Sequence, residues 1–141
     1  MTREEALARH PGAVAFRYGD SAALNAEVLA LVRSGRKTVT CDALDAFAAR
    51  GEPLPVPGRV DIACDWDWRP ALAVRTLEVL QVPFEEMTET LVAPQAEFRD
   101  LAHWRAGYAA YLRRGGHAPE GATMLVERFE LAEDFTETRD V

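Results

Sequence analysis

A chain of 141 residues with 48% hydrophobic and 28% charged side chains is long enough to close one core without a metal or disulfide, and it carries no apolar run of membrane-spanning length. A net charge of -7 excludes a protein that coats nucleic acid by bulk electrostatics, which needs a concentrated basic face, but permits a local basic cleft. Cys41 and Cys64 sit in apolar, strand-like segments and read as small buried hydrophobes, so the expectation is a soluble cytoplasmic protein without a disulfide.

In chain order, Thr2 with Glu5 forms a capping box for a short leading helix that Pro11-Gly12 closes. Phe16-Arg17-Tyr18 is a brief apolar-flanked run, after which Asp20 or Ser21 can cap a helix whose apolar spacing runs from Leu24 to Val32 and stops at Gly35. Thr38 to Cys41 reads as a β-branched strand, and Asp42 to Arg50 as a helix ending at Gly51. The prolines between Pro53 and Pro57 impose an extended loop. Arg59 to Asp65 alternates with Val60, Ile62 and Cys64 on one face, and it pairs across the turn Asp65 to Pro70 with a long strand, Ala71 to Val82. An acidic helical turn follows at Glu85 to Thr90. The spacing then predicts a helix over Glu97 to Arg114, a strand over Thr123 to Leu131 and a frayed acidic tail from Ala132. Strands scattered among helices without regular alternation give an α+β class built on a small, mostly antiparallel barrel or sheet.

Lys37 is the single lysine of the chain, at the carboxyl end of a predicted helix and beside a predicted strand. Burial can lower an ammonium's pKa, whereas the unpaired carbonyls at a helix end favour the charged form, and the sequence leaves these opposed effects unresolved. A lone lysine on a loop is the plain alternative. Lys37 and Thr40 fall on opposite faces of an ideal strand, so they can meet only through a turn or bulge at Lys37.

Phe16-x-Tyr18-Gly19-Asp20-Ser21, Gly35-x-Lys37-x-x-Thr40, Glu52-Pro53-Leu54-Pro55-x-x-Gly58, Val82-Pro83-Phe84, Leu101-x-x-Trp104-Arg105 and Glu127-Arg128-Phe129-Glu130, in that order, resemble an ASCH domain. The resemblance covers an ASCH domain over residues 16–131, which leaves the helical extension over 1–15 and the acidic tail over 132–141 outside it. It also implies a PUA-like β-barrel with flanking helices and a cleft beside the Gly-x-Lys segment. The superfamily is associated with RNA and modified nucleotides, and some members are similar to amidohydrolases of N-acylated cytidine that use threonine, lysine and glutamate. Lys37 and Thr40 match the first two of these; at the third, Gln95 falls nearest the expected carboxylate and Glu97 lies close by.

Two main readings follow. In the first, the protein binds RNA or a modified nucleoside through Arg36, Lys37, Thr38, Thr40 and Gln95, with Trp66 and Trp68 as stacking surfaces. In the second, it is an amidohydrolase in which Thr40 attacks, Lys37 is the base and Glu97 or Gln95 assists. Ribonuclease activity is a third reading that no residue specifically supports. Indoles more often pack in cores, which suits Trp104 best, and Asp65 with Asp67 are read as turn caps before a carboxylate pair. His103 and His117 have no Cys or His at ligand spacing, so no metal and no cofactor are expected, nor a membrane partner. The oligomeric state is not set by the sequence.

Overall fold

The computed structural model describes residues 1–136. Its strands are β1 (Ala15–Arg17), β2 (Val39–Ala43), β3 (Val60–Cys64), β4 (Pro70–Pro83) and β5 (Thr123–Asp134), and its helices are α1 (Arg3–Arg9), α2 (Ala22–Arg33), α3 (Leu44–Arg50), α4 (Glu89–Val92) and α5 (Leu101–Arg114). The strands form one sheet in the order β1-β3-β4-β5-β2, antiparallel throughout except for the parallel β1–β3 pair. This is the expected α+β class with a mostly antiparallel sheet. The sheet is open, however, because a barrel needs every strand paired on both sides and β1 and β2 are left as edges. β4 and β5 bend instead through register shifts between Ala73/Val74 and Thr76/Glu78.

Side-chain caps set the helix starts. Thr2 accepts from the Glu5 N–H at 3.1 Å, and Ser21 accepts from the Leu24 N–H at 3.2 Å. The expected start at Glu97 is four residues too early. Ala96 turns the chain in the left-handed region at φ 63°, and Asp100 caps α5 by accepting from the His103 N–H at 2.8 Å. Glu97 is therefore outside the helix and free to turn toward the sheet.

β3 carries apolar residues on both faces where alternation suggested one. Ile62 and Cys64 pack with Ala73, Ala6 of α1 and Phe135, while Ala63 packs with Leu72, Val74, Phe129 and the α2 residues Val28, Leu29 and Val32. A central strand covered on both sides has no solvated face to mark with polar residues. The third cluster joins Val39, Cys41 and Ala43 of β2 to Met124, Val126, Trp104 and Leu112. The fraying expected from Ala132 is not found at the start of the tail: β5 continues to Asp134 and Phe135 is fully buried. Positions 137–141 lie outside the described residues. Both cysteines are free and buried.

Candidate ligand-binding cleft

The α2-facing side of the sheet opens into a cleft of about 870 Å³ between α2, α3, α5 and the Asp65 to Pro70 turn. Its floor follows from strand register. Thr40 lies opposite Glu127 and Asp42 opposite Leu125, and directly opposed residues of an antiparallel pair share a face. Thr40, Asp42, Asp61, Glu97 and Glu127 all line this space.

Lys37 does not stand in the cleft but directly behind it. The chain leaves α2 with Gly35 at φ 80°, the Arg36 and Lys37 N–H groups both donate to Leu31 O, and the Thr38 N–H donates to Pro94 O at 2.9 Å. The Lys37 side chain is turned inward to 2% exposure. There Nζ donates to Val39 O at 2.9 Å, Gln95 O at 3.3 Å and the Glu97 carboxylate at 2.7 Å. Three acceptors surround Nζ, and none of them belongs to Thr40. No hydrogen bond joins Lys37 to Thr40 among the described residues; the two are linked only through the cleft that Glu97 and Thr40 share. These contacts are those of a group that anchors Glu97, and a base for the Thr40 hydroxyl would need a contact to it that they do not include.

Gln95 is fully buried, with its side-chain nitrogen donating to Leu91 O at 3.1 Å and its side-chain oxygen facing the Cys41 thiol at 3.5 Å. Its amide thus makes one internal bond through each of its two polar atoms and borders the cleft. Arg36 and Thr38 are exposed and are not among the cleft-lining residues, because the strand begins only at Val39 and Thr38 precedes it on the outside. Trp66 and Trp68 do line the cleft, but the Arg17 guanidinium covers them, its central carbon 3.8 Å from the Trp66 ring centre and 4.5 Å from that of Trp68. Trp104 is wholly buried against Phe84 and Tyr108. Asp65 caps the turn through the Asp67 and Arg69 N–H groups, each at 2.9 Å.

Glu127 was visible in the sequence only as part of a short motif. In the fold, its carboxylate accepts from the Thr76 hydroxyl at 2.7 Å, and burial pushes its pKa up from 4.5 to about 7, with the negative charge of Asp61 adding to the shift and Thr76 opposing it. The available signal was its alternation with Phe129, which puts a charged residue on a face otherwise committed to the core. Burial likewise raises the Asp42 carboxyl, with Arg50 and the Ala43 N–H pulling it down, and drives the Tyr18 and Tyr108 hydroxyls well above 10. Tyr108 stays neutral and donates to Cys41 O. The floor therefore offers the Thr40 hydroxyl, the Glu97 carboxyl bonded to Lys37 and the Glu127 carboxyl, whose pKa burial raises to about 7, while Asp42 and Asp61 are paired with Arg50 and Arg59. Among the described residues no group of three metal-ligating side chains is found.

The model for the ASCH domain matches residues 14–133. The chain belongs to the ASCH domain family. That family is proposed to bind RNA. No curated protein matches the chain. Among solved structures, an Enterococcus faecalis protein superposes with a TM-score of 0.82 at 24% identity, over 98% of this chain and 90% of that one. An ASCH domain from Lactobacillus crispatus gives 0.71 at 19% identity, covering 93% of this chain and 86% of the other. The ASCH protein of Zymomonas mobilis gives 0.52 at 13% identity, covering 86% and 66%. These likenesses establish the ASCH fold for the chain. No helix among the described residues is long and apolar enough to cross a membrane.

Proposed function

We propose that this ASCH domain binds RNA or a modified nucleoside, with a base entering the cleft over Thr40, Glu97 and Glu127. The observation that carries this reading is the set of floor groups not paired with an arginine: a hydroxyl and two carboxyls, one clamped at 2.7 Å by Lys37 and one with its pKa raised to about 7. Such groups offer both donors and acceptors to the polar edge of a base at neutral pH. The cleft volume of about 870 Å³ falls within the range of small-ligand sites, about 300 to 1,000 Å³. Lys37 acts from behind as the fixed partner that orients Glu97. Thermal denaturation against a panel of nucleosides, modified nucleosides and short RNAs tests the reading. A ligand at a hundred times its Kd raises stability by about 2.7 kcal/mol, which a melting curve resolves. Thr40→Val abolishes that rise if the floor is the site, and a panel without any shift refutes the proposal.

A second reading rests on Glu97 standing in the same cleft as Thr40. In an amidohydrolase, the Thr40 oxygen adds to an amide carbonyl while its proton passes to the Glu97 carboxylate. The C–N bond then breaks, the amine leaves with that proton, and water hydrolyses the threonyl ester to restore the hydroxyl. Release of cytidine from N-acylated cytidine is the assay, and equal rates in wild type, Thr40→Val and Glu97→Gln remove this reading.

A further inference from the structure

Four arginines line the cleft, Arg17, Arg50, Arg59 and Arg114, and three of them are already neutralised. Arg50 bonds Asp42 at 3.0 Å and Glu52 at 2.8 Å, Arg59 forks onto Asp61 at 2.8 and 3.0 Å, and Arg114 bonds Asp20 at 2.9 Å. Arg17 has no carboxylate partner among the described residues. The two acids nearest its tryptophans are turned elsewhere: Asp65 holds Arg69 at 3.0 Å and Asp67 holds the same guanidinium at 3.4 Å.

What Arg17 does have is a mount. One N–H group donates to Trp66 O at 2.9 Å, and the guanidinium carbon lies over the Trp66 and Trp68 rings, 3.8 and 4.5 Å from their centres. Trp68 holds its place with a φ of 63°, a left-handed conformation that side chains other than glycine adopt at a cost of about 1 to 3 kcal/mol. A guanidinium carries five N–H donors, so most of the fork remains free, and aromatic stacking fixes it without neutralising its charge. A charged, pre-oriented, unpaired fork at the wall of a cleft with an acidic floor matches a ligand that is polar at one end and anionic at the other.

We infer that Arg17, mounted on Trp66 and Trp68, binds the phosphate ester of the ligand, so that the cleft takes a nucleotide, free or within RNA, in preference to the bare nucleoside. This rests on the proposed binding function and narrows its ligand class. Bidentate contact to a phosphate is the geometry that distinguishes arginine from lysine.

The test is calorimetric titration of the common nucleosides, their 5′-monophosphates and the dinucleoside monophosphates into wild type, Arg17→Gln and Arg17→Lys. Wild type is expected to prefer a phosphorylated form by about tenfold or more, and Arg17→Gln to lose that preference while keeping its affinity for the nucleoside. Arg17→Lys recovers part of it, and circular dichroism melts show that the variants are folded. Preference for the monophosphate identifies a terminal phosphate, and preference for the dinucleoside monophosphate identifies the RNA backbone; either supports the inference. Nucleoside binding with no phosphate preference, or a preference that survives in Arg17→Gln, overturns it and leaves the binding function standing. If none of these probes binds, this inference falls, and the binding function is decided by the modified nucleosides and short RNAs of the melting panel.

Discussion

Replacing Glu127 by glutamine removes one ionisable group from the cleft floor while keeping its shape and its acceptor for the Thr76 hydroxyl. The folded protein holds the Glu127 proton more tightly than the unfolded chain does, with a pKa of about 7 against 4.5. Folding therefore takes up a proton between these values, and wild-type stability falls as pH rises through that window. The full difference corresponds to about 3 kcal/mol at pH 8, and since Glu127 keeps some contact with solvent, about 1 to 3 kcal/mol is the working range. Urea denaturation of wild type and Glu127→Gln at pH 5 and pH 8 measures it. The variant should exceed wild type by less than about 1 kcal/mol at pH 5, where the unfolded chain has begun to release this proton, and by the larger margin at pH 8, and the difference between the two proteins cancels the titrating groups not coupled to Glu127. Equal stabilities at pH 8, or a variant less stable there, would refute the assignment of a desolvated carboxyl at this position.

Three further substitutions probe how the site is built. Lys37→Ala leaves Glu97 and two carbonyls without their shared donor, and loss of one partner of a buried pair costs about 3 to 5 kcal/mol, read as a lower urea midpoint. Asn25, 1% exposed, donates to both Tyr18 O at 2.9 Å and Cys64 O at 3.2 Å, tying β1 to the end of β3 beside Arg17. Asn25→Ala should cost about 1 to 3 kcal/mol in the same assay, and phosphate selectivity should weaken with it. Gly19 stands at φ 78°, and a Cβ there would come within 2.9 Å of Leu24 Cγ, so Gly19→Ala should lower the melting temperature by several degrees. No change in any of these melts would contradict the packing described for that residue.

Local chemistry made much of this architecture legible. Thr2 and Ser21 announce the helices they cap, and Gly35 and Gly51 stop theirs with positive φ at 80° and 65°. Alternation over Val60 to Cys64 marks β3, and the Asp65 to Pro70 turn joins it to β4 as read. Errors fell where a neighbour in space overruled a local pattern. The helix after Gln95 reads from Glu97 by periodicity, yet the chain must first turn at Ala96, and only then does Asp100 supply a cap. The tail after Ala132 reads as polar and frayed, yet its strand is paired with β4 and Phe135 fills a gap beside α1.

The lone lysine could be singled out from the chain by itself, as could its nearness to Thr40 and the elements on either side. What Lys37 does was decided by residues far off in sequence: Glu97 lies 60 positions away, and together with Val39 O and Gln95 O it surrounds Nζ. Glu127 shows the same limit, since its raised pKa comes from burial in the folded chain and the Thr76 hydroxyl that opposes the shift lies 51 positions away. Capping, turn geometry and alternation act through neighbours in the chain and are written there. Burial and the identity of a polar group's partner depend on which surfaces meet, and that exists only once the sheet and its helices have closed on one another.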